Sequence, residues 1–304
     1  MTTFPLLERA GTSVLSNALE TAGPFRVPSD TRPHLRAVKD AREAWANARA
    51  AEGLKHDGSA RILTPPESQA KLGKGSRPLY SVTLLPSDLA TLGFTTCGSE
   101  TALCRAACVM THGRGAMPSV IAARRARTRL LATDPQAFVI LVASELRAAR
   151  SLEGRPIGVR LNAASDIRWE RVAPGLLRIP GVRAYDYTKH ADRGQGSDRY
   201  RLTYSVSERP GSVAEGLSAI ARGGTATVVL DVAKGSPLPT AWAGGVRMID
   251  GDAHDDRASD PRGVWIGLRA KGRAIGTGGQ GFVMPADPAE LPARAMIPRV
   301  PVAA

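Results

Sequence analysis

The sequence lacks any apolar run of about 18 residues, the length at which a stretch becomes a candidate membrane-spanning helix. Its first residues, MTTFPLLERAGTSVLSNALE, lack the basic start and apolar core of a secretory signal. A G-x-S-x-G nucleophile elbow and a G-x-x-x-x-G-K-[ST] phosphate loop are also missing, so the sequence gives no support for α/β-hydrolase or P-loop chemistry. We therefore expect a cytoplasmic protein with no membrane partner.

Cysteine is scarce, and its few copies are concentrated. The chain has three, Cys97, Cys104 and Cys108, all within the stretch CGSETALCRAACVMTH. Thiols stay reduced in the cytoplasm, and an odd, clustered set favours a metal or cofactor over a disulfide framework. Three thiolates at C-x6-C-x3-C spacing can hold a 4Fe-4S cluster with one open iron. They can also hold zinc, with His112 as the fourth ligand because it follows Cys104 and Cys108 at helical spacing. The pattern favours the cluster, and zinc stays open as the alternative.

The charge balance is the next departure from an average protein. The net charge is +13, which favours a nucleic acid or nucleotide as partner, although abundant Arg is equally typical of a GC-rich genome. The densest basic run is RRARTR, Arg124 to Arg129. On a helix such a run is usually a solvated face, and contact with nucleic acid is the alternative interpretation.

The order of apolar and polar segments predicts two regions. Residues 1–76 are expected to form a mostly helical N-terminal arm or cap, with helices over about 5–22 and 33–53. Residues 77–304 alternate short β-type runs with helical stretches such as 119–151, broken near Asp134-Pro135, and 212–223. The predicted strands are 78–86, 157–166, 182–189, 200–208, 225–232, 246–252 and 264–270.

Such alternation indicates parallel βαβ units, and their number predicts an α/β fold with a full or partial parallel (β/α) barrel of the TIM type. The active site of such a barrel lies at the carboxyl ends of its strands, where the cysteine segment also follows the first strand. The polar residues at these ends are the predicted catalytic residues Asp166, Lys189, Ser205, Asp231, Asp250 and Asp252. The predicted cofactor-binding residues are Asn162, Ser207 and Lys271.

A series of motifs runs through the second region in a fixed order. The motifs are VRLNAASDIRWE (159–170), VRAYDYTKHADR (182–193), YRLTYSVSE (200–208), MIDGDAHDDR (248–257), GVWIGLRAKG (263–272) and GFV (281–283). Together with the cysteine segment and the HGRG that ends it, this series resembles the bacteriophage gene-88 protein family over about residues 75 to 284. The resemblance implies a phage-encoded protein in the host cytoplasm and carries no activity with it.

The architecture is also similar to the barrels of radical S-adenosylmethionine enzymes, although the cysteine spacing departs from their usual C-x3-C-x2-C. The leading hypothesis is therefore a 4Fe-4S enzyme that binds S-adenosylmethionine and acts on a nucleotide or nucleic acid. The alternative is a non-catalytic nucleic-acid-binding protein stabilised by zinc or a cluster. The sequence leaves the substrate and the oligomeric state open.

Overall fold

The computed structural model describes residues 4–29, 32–68, 76–86, 92–108, 110, 113–278 and 281–297. The contacts within the chain divide it into two units. Unit 1 consists of Met1–Gly98 and Gly113–Tyr185, and unit 2 of Ser99–His112 and Asp186–Ala304. Residues 1–76, predicted to form a separate arm, thus belong to the same unit as the first strands.

The elements alternate between helices and short strands. The helices are α1 (Pro5–Ala10), α2 (Leu15–Ala22), α3 (Arg32–Ala50), α4 (Ala102–Ala106), α5 (Pro118–Thr133), α6 (Pro135–Glu153), α7 (Trp169–Val172), α8 (Ser212–Ala221) and α9 (Ala293–Met296). The strands are β1 (Leu79–Ser81), β2 (Ile157–Arg160), β3 (Val182–Thr188), β4 (Tyr200–Ser205), β5 (Thr225–Leu230), β6 (Ala241–Trp242), β7 (Val246–Asp250), β8 (Val264–Arg269) and β9 (Val283–Met284).

Unit 1 has three parallel strands in the order β1-β2-β3, with α3, α5 and α6 packed together. The break between α5 and α6 lies at Asp134, whose side chain accepts from the Ala137 amide and caps α6, with proline at the first helical position. The largest buried side chains of this unit include Trp45, Phe138 and Trp169.

Unit 2 has the strand order β4-β5-β8-β7-β6, with β9 paired to the carboxyl end of β5. All these pairs are parallel except the short β6–β7 hairpin. Helix α8 packs on β4 and β5. Gly216 of α8 lies against the ring of Trp265, where a Cβ would come within 2.6 Å of the indole, so only glycine permits this approach.

The structure confirms the α/β class and a mostly parallel arrangement of strands. All seven predicted strands are present in shorter form, and β6 and β9 are additional. The ladder of strands is open within each unit, and β8 lies between β5 and β7, which a barrel in chain order would not have. The full or partial barrel therefore stays a prediction. Over the described ranges, no helix has the length and apolar character required to cross a membrane.

The interpretation of RRARTR as a solvated face is wrong. Arg125 and Arg129 both form ion pairs with Glu52, at 2.5 Å. Arg124 donates to the Gly115 carbonyl and Arg127 to the Ile62 carbonyl, and burial lowers the pKa of Arg127 to about 10. These arginines fix α5 to other parts of unit 1.

Candidate functional site

The cysteine segment is anchored in unit 2 by Glu208, which follows β4. Thr101 caps the short helix α4 by accepting from the Cys104 amide, and its hydroxyl donates to Oε2 of Glu208 at 2.6 Å. The Leu103 amide donates to Oε1 of the same carboxylate at 2.9 Å. Both oxygens of the Glu208 carboxylate thus hold the start of α4. Cys104 lies within this helix.

The opposite end of the same segment is fixed by apolar packing. Ala107, between Cys104 and Cys108, is buried against Ala270, Ala274 and Val283. Ala270 follows β8 and Val283 begins β9, which pairs with the last residues of β5. Since β4, β5 and β8 are parallel, their carboxyl ends lie at one edge of the sheet. The two cysteines of unit 2 are therefore held at that edge, where they are half-buried and form no disulfide.

Lys189 and Ser205, two predicted catalytic residues, meet where β3 and β4 end. The Lys189 ammonium donates to the Ser205 hydroxyl at 3.1 Å and lies 5.9 Å from the centre of the Phe282 ring. Arg209 donates to the Lys189 carbonyl at 2.5 Å and to the hydroxyl of Ser207 at 3.3 Å. Two cations and two hydroxyl groups thus converge, which is a donor set suited to an anion.

His190 and Ser99 extend this cluster toward the cysteine segment. The Ser99 hydroxyl is 3.0 Å from Nδ1 of His190, and Ser99 begins the stretch that unit 2 takes from the cysteine segment. We use the name "strand-end cluster" for Ser99, Lys189, His190, Ser205, Ser207 and Arg209.

A second network lies beside the strand-end cluster. Asp186 in β3 is fully buried and accepts from the Tyr200 hydroxyl at 2.7 Å. Arg193 donates to the same hydroxyl at 2.9 Å, and its guanidinium lies over the Tyr200 ring. The network fixes the loop that carries Lys189 and His190, because it joins residues on both sides of that loop.

Asp231 follows β5 and lies in a cleft of about 570 Å³. The carboxylates of Asp287 and Glu290 line the same cleft. Gly278 approaches Asp231 so closely that a side chain at this position would collide with the carboxylate. The Asp231 side chain is exposed in this cleft. Its predicted catalytic role stays a prediction.

Two of the predicted site residues in unit 1 lie together with Cys97. The Cys97 thiol donates to the Ala164 carbonyl at 3.4 Å, and the Asp166 amide donates to the Thr96 carbonyl. Asn162 holds the same loop: its amide group donates to the Ile167 carbonyl and accepts from Ser165, Ile167 and Trp169. The cofactor-binding role predicted for Asn162 finds no support in these contacts, which organise the loop itself.

Asp250, Asp252 and Lys271 form an ion-pair network at one end of β7 and β8. Arg269 contacts Asp250 at 2.9 Å and Asp252 at 3.2 Å, and Lys271 forms a further ion pair with Asp252. Arg269 and Lys271 thus balance the charge of the two carboxylates. The predicted catalytic roles of Asp250 and Asp252 and the predicted cofactor-binding role of Lys271 stay predictions.

The metal ligands predicted from the cysteine spacing are distributed over the two units. Cys97 belongs to unit 1, Cys104 and Cys108 belong to unit 2, and His112 lies outside the described residues. Within the described ranges, no three His, Cys, Asp or Glu side chains form a group that could hold a metal ion. The arrangement of the described side chains therefore contains no preformed metal centre.

Sequence reasoning missed Arg209 and Ser99 as members of the strand-end cluster, and Glu208 as the anchor of the cysteine segment. Glu208 ends the quoted motif YRLTYSVSE, and a carboxylate at the end of a predicted strand was the available signal. Ser99 gave no signal, because its partner His190 is 91 positions away in the sequence.

We expect Glu208→Ala to release the cysteine segment. The variant removes the acceptor of Thr101 and Leu103, and hydrogen bonds to a charged group are worth about 1.5–3 kcal/mol, so local opening should increase roughly ten- to a hundredfold. The alkylation rates of Cys104 and Cys108 by iodoacetamide, followed by mass spectrometry, should rise accordingly. Cys97 is the internal control, because its contacts lie in unit 1. Unchanged rates at Cys104 and Cys108 would show that Glu208 does not anchor the segment.

The family model described as gene product 88 matches residues 52–283, which include every strand of both units apart from the last residue of β9. No curated protein and no solved structure matches the chain.

Proposed function

The chain belongs to the gene product 88 family of phage proteins, and on that premise we propose that unit 2 binds a phosphate group of a nucleotide or nucleic acid at the strand-end cluster. The observation that carries the proposal is the contact of the Lys189 ammonium with the Ser205 hydroxyl, beside Arg209. Ligands of parallel α/β sheets bind outside the carboxyl ends of the strands, which is where these groups lie.

The charges around the strand-end cluster support an anionic ligand. Lys189 and Arg209 are cations, and both oxygens of the nearby Glu208 carboxylate already accept hydrogen bonds from the cysteine segment. The Asp186 carboxylate is buried and accepts from Tyr200. A phosphate offers several acceptor oxygens, which complement an ammonium, a guanidinium and hydroxyl donors.

The test is nucleotide binding by the full chain and by Lys189→Gln. Loss of a hydrogen bond to a charged group costs about 1.5–3 kcal/mol, so the affinity for adenosine triphosphate should fall roughly ten- to a hundredfold in isothermal titration. Lys234→Gln is the matched control, because it removes the same charge from an exposed position after β5. Equal affinities of Lys189→Gln and the unaltered protein, or no binding by the unaltered protein, would refute the proposal.

A metal role for the cysteine segment is the second part of the proposal. Cys104 and Cys108 are half-buried cysteines without a disulfide, at the edge where the strand-end cluster lies, and this position supports a cofactor next to the bound phosphate. The ligand set Cys97, Cys104 and Cys108, with His112 for zinc, is proposed from the spacing alone. A 4Fe-4S cluster with S-adenosylmethionine would supply radical chemistry, whereas zinc would stabilise a binding protein in the alternative function.

Metal analysis after anaerobic purification separates these alternatives. Stoichiometric iron and sulfide, absorption near 400 nm, and loss of both in Cys104→Ser would support the iron–sulfur enzyme. A colourless protein with stoichiometric zinc would support the binding protein. A protein that contains neither iron nor zinc would refute the second part of the proposal. The phosphate site would still be judged by its own test. Formation of 5′-deoxyadenosine by the reduced iron–sulfur protein would establish the radical reaction.

A further inference from the structure

Unit 1 carries a row of arginines at the amino ends of its parallel strands. Arg77 precedes β1, Arg155 precedes β2, and Arg183 is the second residue of β3. Arg150 lies in the last turn of α6, and Arg178 precedes β3 by four residues. We define these five residues as the amino-end arginine surface, which lies on the opposite edge of the strands from their carboxyl ends.

The register of the strands brings these arginines together. Leu79 of β1 pairs with Gly158 of β2, and Gly158 pairs with Arg183 of β3. Residues paired in this way point to the same side of a sheet, and neighbouring strands lie about 4.8 Å apart. The stem of Arg77 lies over Gly158, with Cδ 3.3 Å from the position that a Cβ would take. Arg77 and Arg183 therefore flank the same glycine on one face.

A second glycine brings Arg150 to the start of β3. Gly181 adopts φ +74°, and a side chain there would collide with the guanidinium of Arg150. The Gly181 carbonyl accepts from the Ile157 amide, which ties the start of β3 to the turn that carries Arg155. Glycines at 158 and 181 thus leave room for arginine side chains at the strand starts.

The electrostatic surroundings of this edge are positive. Glu153 is the only carboxylate residue in the segments 150–160 and 177–184, and it accepts from the Tyr80 hydroxyl. Arg155, Arg178 and Arg183 are exposed. Unit 1 also carries most of the excess charge, with 25 Lys and Arg residues against 14 Asp and Glu, whereas unit 2 has 16 against 14.

We propose that the amino-end arginine surface binds the sugar-phosphate backbone of duplex nucleic acid, independently of the phosphate site in unit 2. The guanidinium group of arginine matches the geometry of a phosphate group. The arginines are spaced by the distance between neighbouring β-strands, so several of them can contact one sugar-phosphate backbone. Single-stranded partners require aromatic stacking platforms. Within the described part of the chain, none of the exposed large apolar side chains is aromatic, and the one on this edge is Leu152. Binding through phosphates alone makes the contact insensitive to sequence.

The test is the salt dependence of binding to a fluorescein-labelled duplex DNA of about 20 base pairs, measured by anisotropy. In Arg155→Gln/Arg178→Gln/Arg183→Gln, the slope of log affinity against log salt should become less steep by about 2–3, since each lost phosphate contact removes about 0.9. The matched control is Arg199→Gln/Arg222→Gln/Arg247→Gln, which removes the same charge from exposed positions of unit 2 and should keep the original slope.

Other outcomes overturn the proposal in distinct ways. A triple variant that stays folded by circular dichroism and keeps the original slope refutes a role of this surface, as does absence of duplex binding by the unaltered protein at 50 mM salt. If the triple variant loses the binding of the unaltered protein to vesicles with 30% phosphatidylserine but keeps its duplex binding, the surface would be assigned to a membrane instead. Lys189→Gln should retain the duplex slope, so the failure of either proposal can be recognised without the other.

Discussion

Replacing Arg257 by methionine is expected to lower the free energy of unfolding by about 3–5 kcal/mol, because it leaves a buried carboxylate without its partner. The side chains of Arg257 and Asp260 are 0% and 1% exposed and form an ion pair at 3.0 Å. Arg257 also donates to the His254 carbonyl, and Asp256 beside it is buried as well. Chemical denaturation of the full chain measures the change.

The matched control for this variant is Arg262→Met, five positions further along the same segment. Arg262 pairs with Asp198 at 3.1 Å, but the two side chains are 51% and 98% exposed. Exposed ion pairs contribute about 0–1 kcal/mol, so this variant should remain close to the unaltered protein. Equal losses in the two variants would mean that burial of the Arg257–Asp260 pair does not determine its contribution.

The loss in Arg257→Met should also depend on pH. Burial raises the pKa of Asp260 above the ordinary 3.8, and Arg257 and His254 oppose this rise. Without Arg257 the pKa of Asp260 in the folded protein rises further. Between that raised pKa and about 3.8, Asp260 is protonated in the folded protein but still ionised in the unfolded chain, so acidification favours the folded state. The difference in stability from the unaltered protein should therefore be largest at neutral pH and shrink on acidification. A difference that is constant from pH 7 to pH 4 would contradict this account.

The second large effect is expected for Asn162→Ala, with a loss of roughly 2–4 kcal/mol. The variant leaves the Trp169 indole N–H and both backbone groups of Ile167 without the partner that Asn162 provides inside unit 1. Trp169 is fully buried, so water does not replace these bonds.

A structural role and a cofactor-binding role of Asn162 predict different results. If Asn162 holds its loop, nucleotide affinity in unit 2 should be unchanged under conditions where the variant is folded, whereas thermal stability falls. Asn17→Ala, an exposed asparagine of α2 in the same unit, is the control and should have little effect. A stable Asn162→Ala variant with weakened cofactor binding would favour the role predicted from the sequence.

The elements of the fold could be predicted because their signals are local. Proline after Asp134 ends α5 and begins α6, and β-branched runs such as TATVVL form β5. The predicted strands were too long at their carboxyl ends, since residues such as 161–166 and 206–208 continue the extended pattern as loops. Strand β9 pairs through only Val283 and Met284, which is too short to produce a periodic pattern.

The strand-end cluster was predictable in part for a topological reason. Lys189 follows β3 and Ser205 ends β4, and parallel strands bring such residues to one edge. The position of β8 between β5 and β7 was not predictable, because it depends on pairing between distant segments. The contacts of the RRARTR side chains within the protein were missed for the same reason. Glu52, which pairs with Arg125 and Arg129, is more than seventy positions away in the sequence.

The anchor of the cysteine segment has a consequence for synthesis of the chain. Thr101 and its acceptor Glu208 are 107 positions apart in the sequence. A ribosome adds about 5–20 residues per second, so the cysteine segment is synthesised roughly 5–20 s before the carboxylate that anchors it. During this interval Cys104 and Cys108 are on a segment without its docking partner. Any reagent or metal carrier in the cell meets these thiols first on the nascent chain.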